Sequence, residues 1–144
     1  MKPINELTLL LPSRSANERV ARMCVAAFAA QLDPTLEELG DIRTVVSEAV
    51  TNCIVHAYPK EIGEIRIRCR IFEGGLLELV ISDRGVGIPD IAKAREPMFT
   101  TGGEERSGMG FTIMESFSDS CTVRNRAGGG VTVKLTRRIS PRLG

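Results

Sequence analysis

The stretch from Ile62 to Phe72 sets Ile65, Ile67, Cys69 and Ile71 against Arg66, Arg68 and Arg70. Successive side chains of a strand point to opposite faces, so this alternation predicts a strand buried on one side and open to water on the other. Glu73-Gly74-Gly75 follows as a hairpin turn. Leu76 to Ser82 is more continuously apolar and reads as a central strand. A sheet with one apolar face needs a second layer to cover it, and the rest of the chain supplies helices for that purpose.

Ile4 to Leu11 reads as a first strand, with Leu7, Leu9 and Leu11 apolar and Pro12 ending it. Ser15-Ala-Asn-Glu18 matches a capping box and opens a helix through about Leu32, with Val20, Met23, Cys24, Ala27 and Phe28 as its apolar stripe. Arg19 and Arg22 fall on the other side, either as a solvated basic face or as a partner contact. Thr35-Leu-Glu-Glu38 is a second capping box before a long helix to about Ala57. Gly40 is its weak point, and Ile42, Val45, Val46, Ala49, Cys53 and Ile54 turn toward the sheet. Asp83 to Pro89 is a glycine-rich loop, with one helical turn near Ile91 to Ala94. Arg95 to Ser107 reads as a mobile polar loop, and Met109 to Phe117 as a short helix. Cys121 to Asn125 and Val131 to Arg138 form a closing hairpin around Gly128-Gly129-Gly130. The expected fold is one domain over residues 1–144, an α/β (α+β) two-layer sandwich. Its sheet is mixed and mostly antiparallel, with helices on one face.

A net charge of +1 gives no electrostatic case for nucleic acid, and five Phe, one Tyr and no Trp give no base-stacking surface. No apolar run approaches the roughly 20 residues that span a bilayer, and the N-terminus has no signal-peptide pattern. The four cysteines are not arranged as C-x-x-C, and there is one histidine, which argues against zinc. Their apolar surroundings predict buried reduced thiols, in keeping with the cytoplasm.

Glu48 and Asn52 stand one helical turn apart and share a face, with His56 one turn further. Asp83 ends an apolar strand before Gly85 and Gly87, an acceptor beside backbone that a ligand can approach closely. Gly108 and Gly110 open a helix whose bare N–H groups suit phosphates. These are the parts that ATP chemistry needs. In such chemistry Asp83 can accept from the adenine amino group, Asn52 can offer an oxygen to Mg²⁺, and Glu48 could take a proton from an attacking hydroxyl. Alone, each motif is also compatible with a turn or an exposed helix face. His56 has two readings, near the phosphates or as a satisfied helix-end histidine.

Glu48-x-x-x-Asn52, Asp83-x-Gly85-x-Gly87 and Gly108-Met-Gly110-Phe111 resemble the boxes of the Bergerat-fold (GHKL) ATPase and kinase superfamily. The segments Thr44 to Asn52, Gly85 to Asp90, Phe99 to Thr101 and Arg106 to Glu115 are most similar to the anti-sigma serine kinases of spore-forming bacteria. The resemblance implies a homodimer that binds ATP or ADP with Mg²⁺ and holds sporulation sigma factor F away from RNA polymerase. It also implies phosphorylation of a serine on an anti-anti-sigma partner. By the same resemblance Glu48 is the catalytic base, Asn52 the Mg²⁺ ligand and Asp83 the adenine reader. Thr100, Thr101, Arg106, Ser107, Gly108 and Gly110 then form the phosphate-side lid, and Arg22 lies on the surface for protein partners.

Two departures from that family stand out. Where it usually has Thr-Thr after the glycines, this chain has Val131-Thr132, which leaves Thr132 for the adenine-side hydrogen bond. The lid reads Thr-Thr-Gly-Gly-Glu-Glu-Arg, without a lysine after the threonines. Two other functions share these motifs: a stress-type anti-sigma kinase for another sigma factor, and an ATP-gated sigma-binding module with negligible transfer.

Overall fold

The computed structural model describes residues 2–88 and 110–140. The expected turn near Ile91 to Ala94 and the polar loop through Ser107 lie outside the described residues. Strand β1 (Asn5–Pro12) leads to helix α1 (Ala16–Ala29), a 3-10 turn (Ala30–Leu32) and helix α2 (Leu36–Asn52), which runs on into a wider π-type turn (Cys53–Ala57). Strands β2 (Glu64–Phe72) and β3 (Leu76–Asp83) form a hairpin. Helix α3 (Gly110–Ser116) precedes the second hairpin of β4 (Ser120–Asn125) and β5 (Val131–Arg138). The described residues form a five-stranded sheet in the order β1-β2-β3-β5-β4. All its ladders are antiparallel, so the sheet lies at the antiparallel end of the expected mixed arrangement.

The β2 alternation works as its sequence demands. Ile65, Ile67, Cys69 and Ile71 are buried under the helices. Arg66, Arg68 and Arg70 point to the open face, where Arg70 Nε donates to Glu78 Oε1 at 2.8 Å. β3 is central, and its Leu77, Leu79 and Ile81 continue the core. On α2, Ile42, Val45, Val46, Ala49 and Cys53 are buried and Ile54 packs against them. The Thr35 capping box forms as expected: Thr35 Oγ1 accepts from Glu38 N at 3.0 Å, and Glu38 Oε1 accepts from Thr35 N at 2.9 Å. Glu38 Oε2 also accepts from Ser140 N at 3.1 Å, and the bond from Thr35 N holds its carboxyl below the usual range.

Three local expectations do not hold. Ser15 sits in right-handed helical geometry and its side chain caps nothing. Glu18 does not reach back to it; its carboxylate instead accepts from Ser47 Oγ of α2 and lies 3.4 Å from Arg22 Nε. The stripe of α1 is also turned. Val20 and Met23 are 43% and 62% exposed and Ala27 is exposed, while Ala21, Val25, Phe28 and Ala29 are buried. From Met23 to Ala29 this helix is apolar all round, so periodicity leaves its phase open there, and the face of Ala21, Val25, Phe28 and Ala29 is the one in the close-packed interior. Finally, Cys24 and Cys121 are half-buried, though none of the four cysteines, all among the described residues, forms a disulfide.

Gly40 is a glycine inside α2, and nothing lies within 4 Å of a Cβ added there. Gly40→Ala is therefore expected to stabilise the fold by about 0.5–1 kcal/mol, through lower unfolded-state entropy. Urea unfolding should show a higher midpoint at unchanged slope.

Candidate nucleotide site

The site forms where β3 ends beside the π-type turn. β3 and β5 pair as far as Ser82 and Thr132. One residue on, the Asp83 side chain takes over from the ladder: Oδ1 accepts from Val131 N at 3.1 Å and from Gly85 N at 3.0 Å. Oδ2 lies 3.7 Å from the Cys53 Sγ, whose thiol donates to it. Asp83 is only 5% exposed. Burial raises its carboxyl above the ordinary value, opposed by the bonds from Gly85 and Val131. A buried carboxylate held by backbone donors on one oxygen keeps its other oxygen as an acceptor, suited to an exocyclic amino group.

The loop after Asp83 is pinned from several sides. Tyr58 Oη accepts from Arg84 N at 2.6 Å and donates to Glu64 O at 2.7 Å. Val86 N donates to Ala57 O at 2.9 Å. The Asn125 amide pairs with Ile88 like a strand neighbour, accepting from its N and donating to its O, both at 2.8 Å. Arg126 Nη1 donates to Asp83 O at 3.1 Å. The expectation that Gly85 and Gly87 make room for a ring is therefore incomplete. A Cβ on Gly85 would stand 2.0 Å from Ala57 O, and one on Gly87 would stand 2.7 Å from Asn125 Oδ1. Both glycines first of all let the protein's own groups close on the loop.

Glu48 and Asn52, one turn apart on α2, and His56, in the π-type turn, are each half-buried. α2 runs straight on into the turn that carries Cys53, so one continuous helical segment bears these residues and a contact to Asp83. Among the described residues no group of three or more His, Cys, Asp or Glu could hold a metal. Gly110 opens α3. Thr100, Thr101, Arg106, Ser107 and Gly108 lie outside the described residues.

Thr132 is a correction. Val131, Val133 and Leu135 are buried toward the helices, so Thr132 projects from the opposite face, with its hydroxyl 3.4 Å from Ser82 Oγ. It stands across the sheet from the Asp83 carboxylate, and the contribution from this end of β5 is the Val131 N–H. The alternation of β5 is visible in the sequence and carried that signal. Cys53, Tyr58, Asn125 and Arg126 are further site residues that the sequence reading does not single out. Only Cys53 had a local clue, its place beside Asn52 on the sheet-facing side of α2.

Arg22 is half-exposed on α1, paired with Glu18 beside α2. Among the described residues no helix is long and apolar enough to cross a membrane.

Residues 11–137 match the family model for the histidine kinase-like ATPase domain. The anti-sigma F factor of Geobacillus kaustophilus is 53% identical over 137 residues, which is 94% of each chain. That of Caldanaerobacter subterraneus subsp. tengcongensis is 53% identical over 136 residues, again 94% of each. Among solved structures, that of the RsbU and RsbW domains of a Mycobacterium tuberculosis protein superposes with a TM-score of 0.69 at 19% identity. That match covers 96% of this chain and 33% of the other, and shows a shared fold. With a five-stranded sheet, a helical layer and a pinned acidic residue at the end of β3, the chain belongs to the histidine kinase-like ATPase domain family and, within it, to the anti-sigma F factors.

Proposed function

We propose that this chain is an anti-sigma factor and an ATP-dependent protein-serine kinase, acting as a homodimer in the cytoplasm. It binds sporulation sigma factor F and phosphorylates a serine of an anti-anti-sigma partner. The observation that carries the nucleotide part is the Asp83 carboxylate, buried, fixed through Oδ1 and set beside the helix that bears Glu48 and Asn52. The relatives at 53% identity, named anti-sigma F factors, support the sigma part and favour sigma factor F over a stress-type sigma factor.

In this reading Asp83 accepts a hydrogen bond from the adenine amino group. Guanine carries an oxygen at that position, so the buried acceptor would be left unpaired against it. Asn52 supplies an oxygen to Mg²⁺, which would neutralise phosphate charge when bound. Glu48 takes the proton of the substrate serine as its Oγ bonds to the γ-phosphorus. The bond from that phosphorus to the β–γ bridging oxygen breaks, and ADP leaves. Thr100, Thr101, Arg106, Ser107, Gly108 and Gly110 contribute the phosphate side. Arg22 serves protein partners, and its replacement by alanine weakens them without touching the nucleotide.

The test is transfer of radiolabelled phosphate from ATP to the anti-anti-sigma protein, run beside capture of sigma factor F with ATP and with ADP. Label on a partner serine together with nucleotide-dependent capture is the expected result. Capture without label would leave an ATP-gated binding module and remove the kinase assignment.

A further inference from the structure

We propose that Cys53 is a positioning residue for nucleotide recognition: its thiol fixes Asp83 Oδ2 so that the carboxylate faces the 6-amino group of an adenine nucleotide. This role rests on the nucleotide reading of the site. The two carboxylate oxygens are held differently. Oδ1 accepts two backbone N–H groups, from Gly85 at 3.0 Å and Val131 at 3.1 Å. Oδ2, the oxygen that these backbone donors leave for a ligand, has the Cys53 Sγ at 3.7 Å. Two donors on one oxygen define a hinge and not an orientation, because the terminal torsion of an aspartate is broad. A third contact on the other oxygen removes that freedom. A carboxylate oxygen has lone pairs for both the thiol and an incoming amino group.

The thiol is suited to this. Cys53 is 4% exposed, at the point where α2 gives way to the π-type turn, and Tyr58 N donates to its carbonyl at 3.1 Å. Burial first, and the Asp83 charge second, push its ionisation well above the ordinary thiol range, so it remains an S–H donor. A thiol in this place serves Asp83 without adding a competing charge.

The test uses Cys53→Val, near the cysteine in size but without a donor, and Cys53→Ser, which keeps one. Binding of ATP is compared with binding of inosine triphosphate, which has an oxygen in place of the 6-amino group. Cys53→Val should weaken ATP about fivefold, the worth of one modest hydrogen bond, with inosine triphosphate changed by less than about twofold. Cys53→Ser should recover much of the preference. In the nucleotide-free protein, the S–H stretching band isolated by subtracting the Cys53→Val spectrum should sit at lowered frequency and move back in Asp83→Asn. Unchanged ATP affinity in Cys53→Val, equal losses for both nucleotides, or a band indifferent to Asp83→Asn would each overturn the role. An Asp83-dependent band in a wild-type protein that does not prefer ATP would remove the adenine reading itself, and this role with it.

Discussion

Glu48→Gln is expected to lower phosphoryl transfer to the serine acceptor by about 10²–10⁴-fold, the usual contribution of a positioned proton acceptor, with ATP affinity changed by less than about threefold. Glutamine keeps the length and the hydrogen-bonding reach of the side chain but cannot take a proton. Glu48 is half-buried on α2, and the buried positions that hold this helix down are others: Ile42, Val45, Val46, Ala49 and Val50. The fold should therefore be indifferent to the change. Initial rates of labelled transfer and a fluorescent-nucleotide titration separate the two quantities. Equal rates in wild type and variant would place proton acceptance on another group. A loss of binding alone would make Glu48 a nucleotide ligand and not a base.

Gly130→Ala should cost about 3 kcal/mol or more of stability and loosen the nucleotide site at the same time. A Cβ there would stand 2.0 Å from Asp83 O and 2.7 Å from Arg84 Cα, both backbone, at a φ of +95° that L-residues rarely adopt. Relief requires parting β5 from the end of β3, and that opens the bond from Val131 N to Asp83 Oδ1. Gly128→Ala is the matched control, with a φ of +88° but nothing within 4 Å of the new carbon. It carries the backbone strain without the collision and should cost about 1 kcal/mol. Denaturant unfolding of the pair, followed by ATP titration, should show a large gap in both. Equal costs would mean that strain alone explains Gly130.

The sequence-level argument succeeds wherever one segment carries its own period and its own punctuation. β2 alternates strictly and ends in a turn, and α2 has a capping box that sets its phase. The one-turn spacing of Glu48 and Asn52 follows from that phase by counting. The argument fails on α1, where apolar residues surround the helix and packing against α2 chooses the buried side. It also fails on Ser15, because the Glu18 carboxylate is taken up by Ser47 of α2 and by Arg22 of its own helix. Thr132 is different in kind: resemblance drew it to the adenine, while the strand's own alternation places it on the far face. Tyr58, Asn125 and Arg126 act across 26, 37 and 43 residues of chain. Contacts at such separations depend on the assembled sheet and leave no local pattern to read.

Tyr58 has a consequence for how this protein can be observed. The chain has one tyrosine and no tryptophan, so its near-ultraviolet absorption and intrinsic emission come almost wholly from that ring. The ring is 5% exposed, and its hydroxyl joins Arg84 N of the site loop to Glu64 O at the start of β2. The protein is thus built with a single native chromophore bonded to the residue after Asp83, and its light signal speaks for the nucleotide end of the sheet rather than for an average over the molecule.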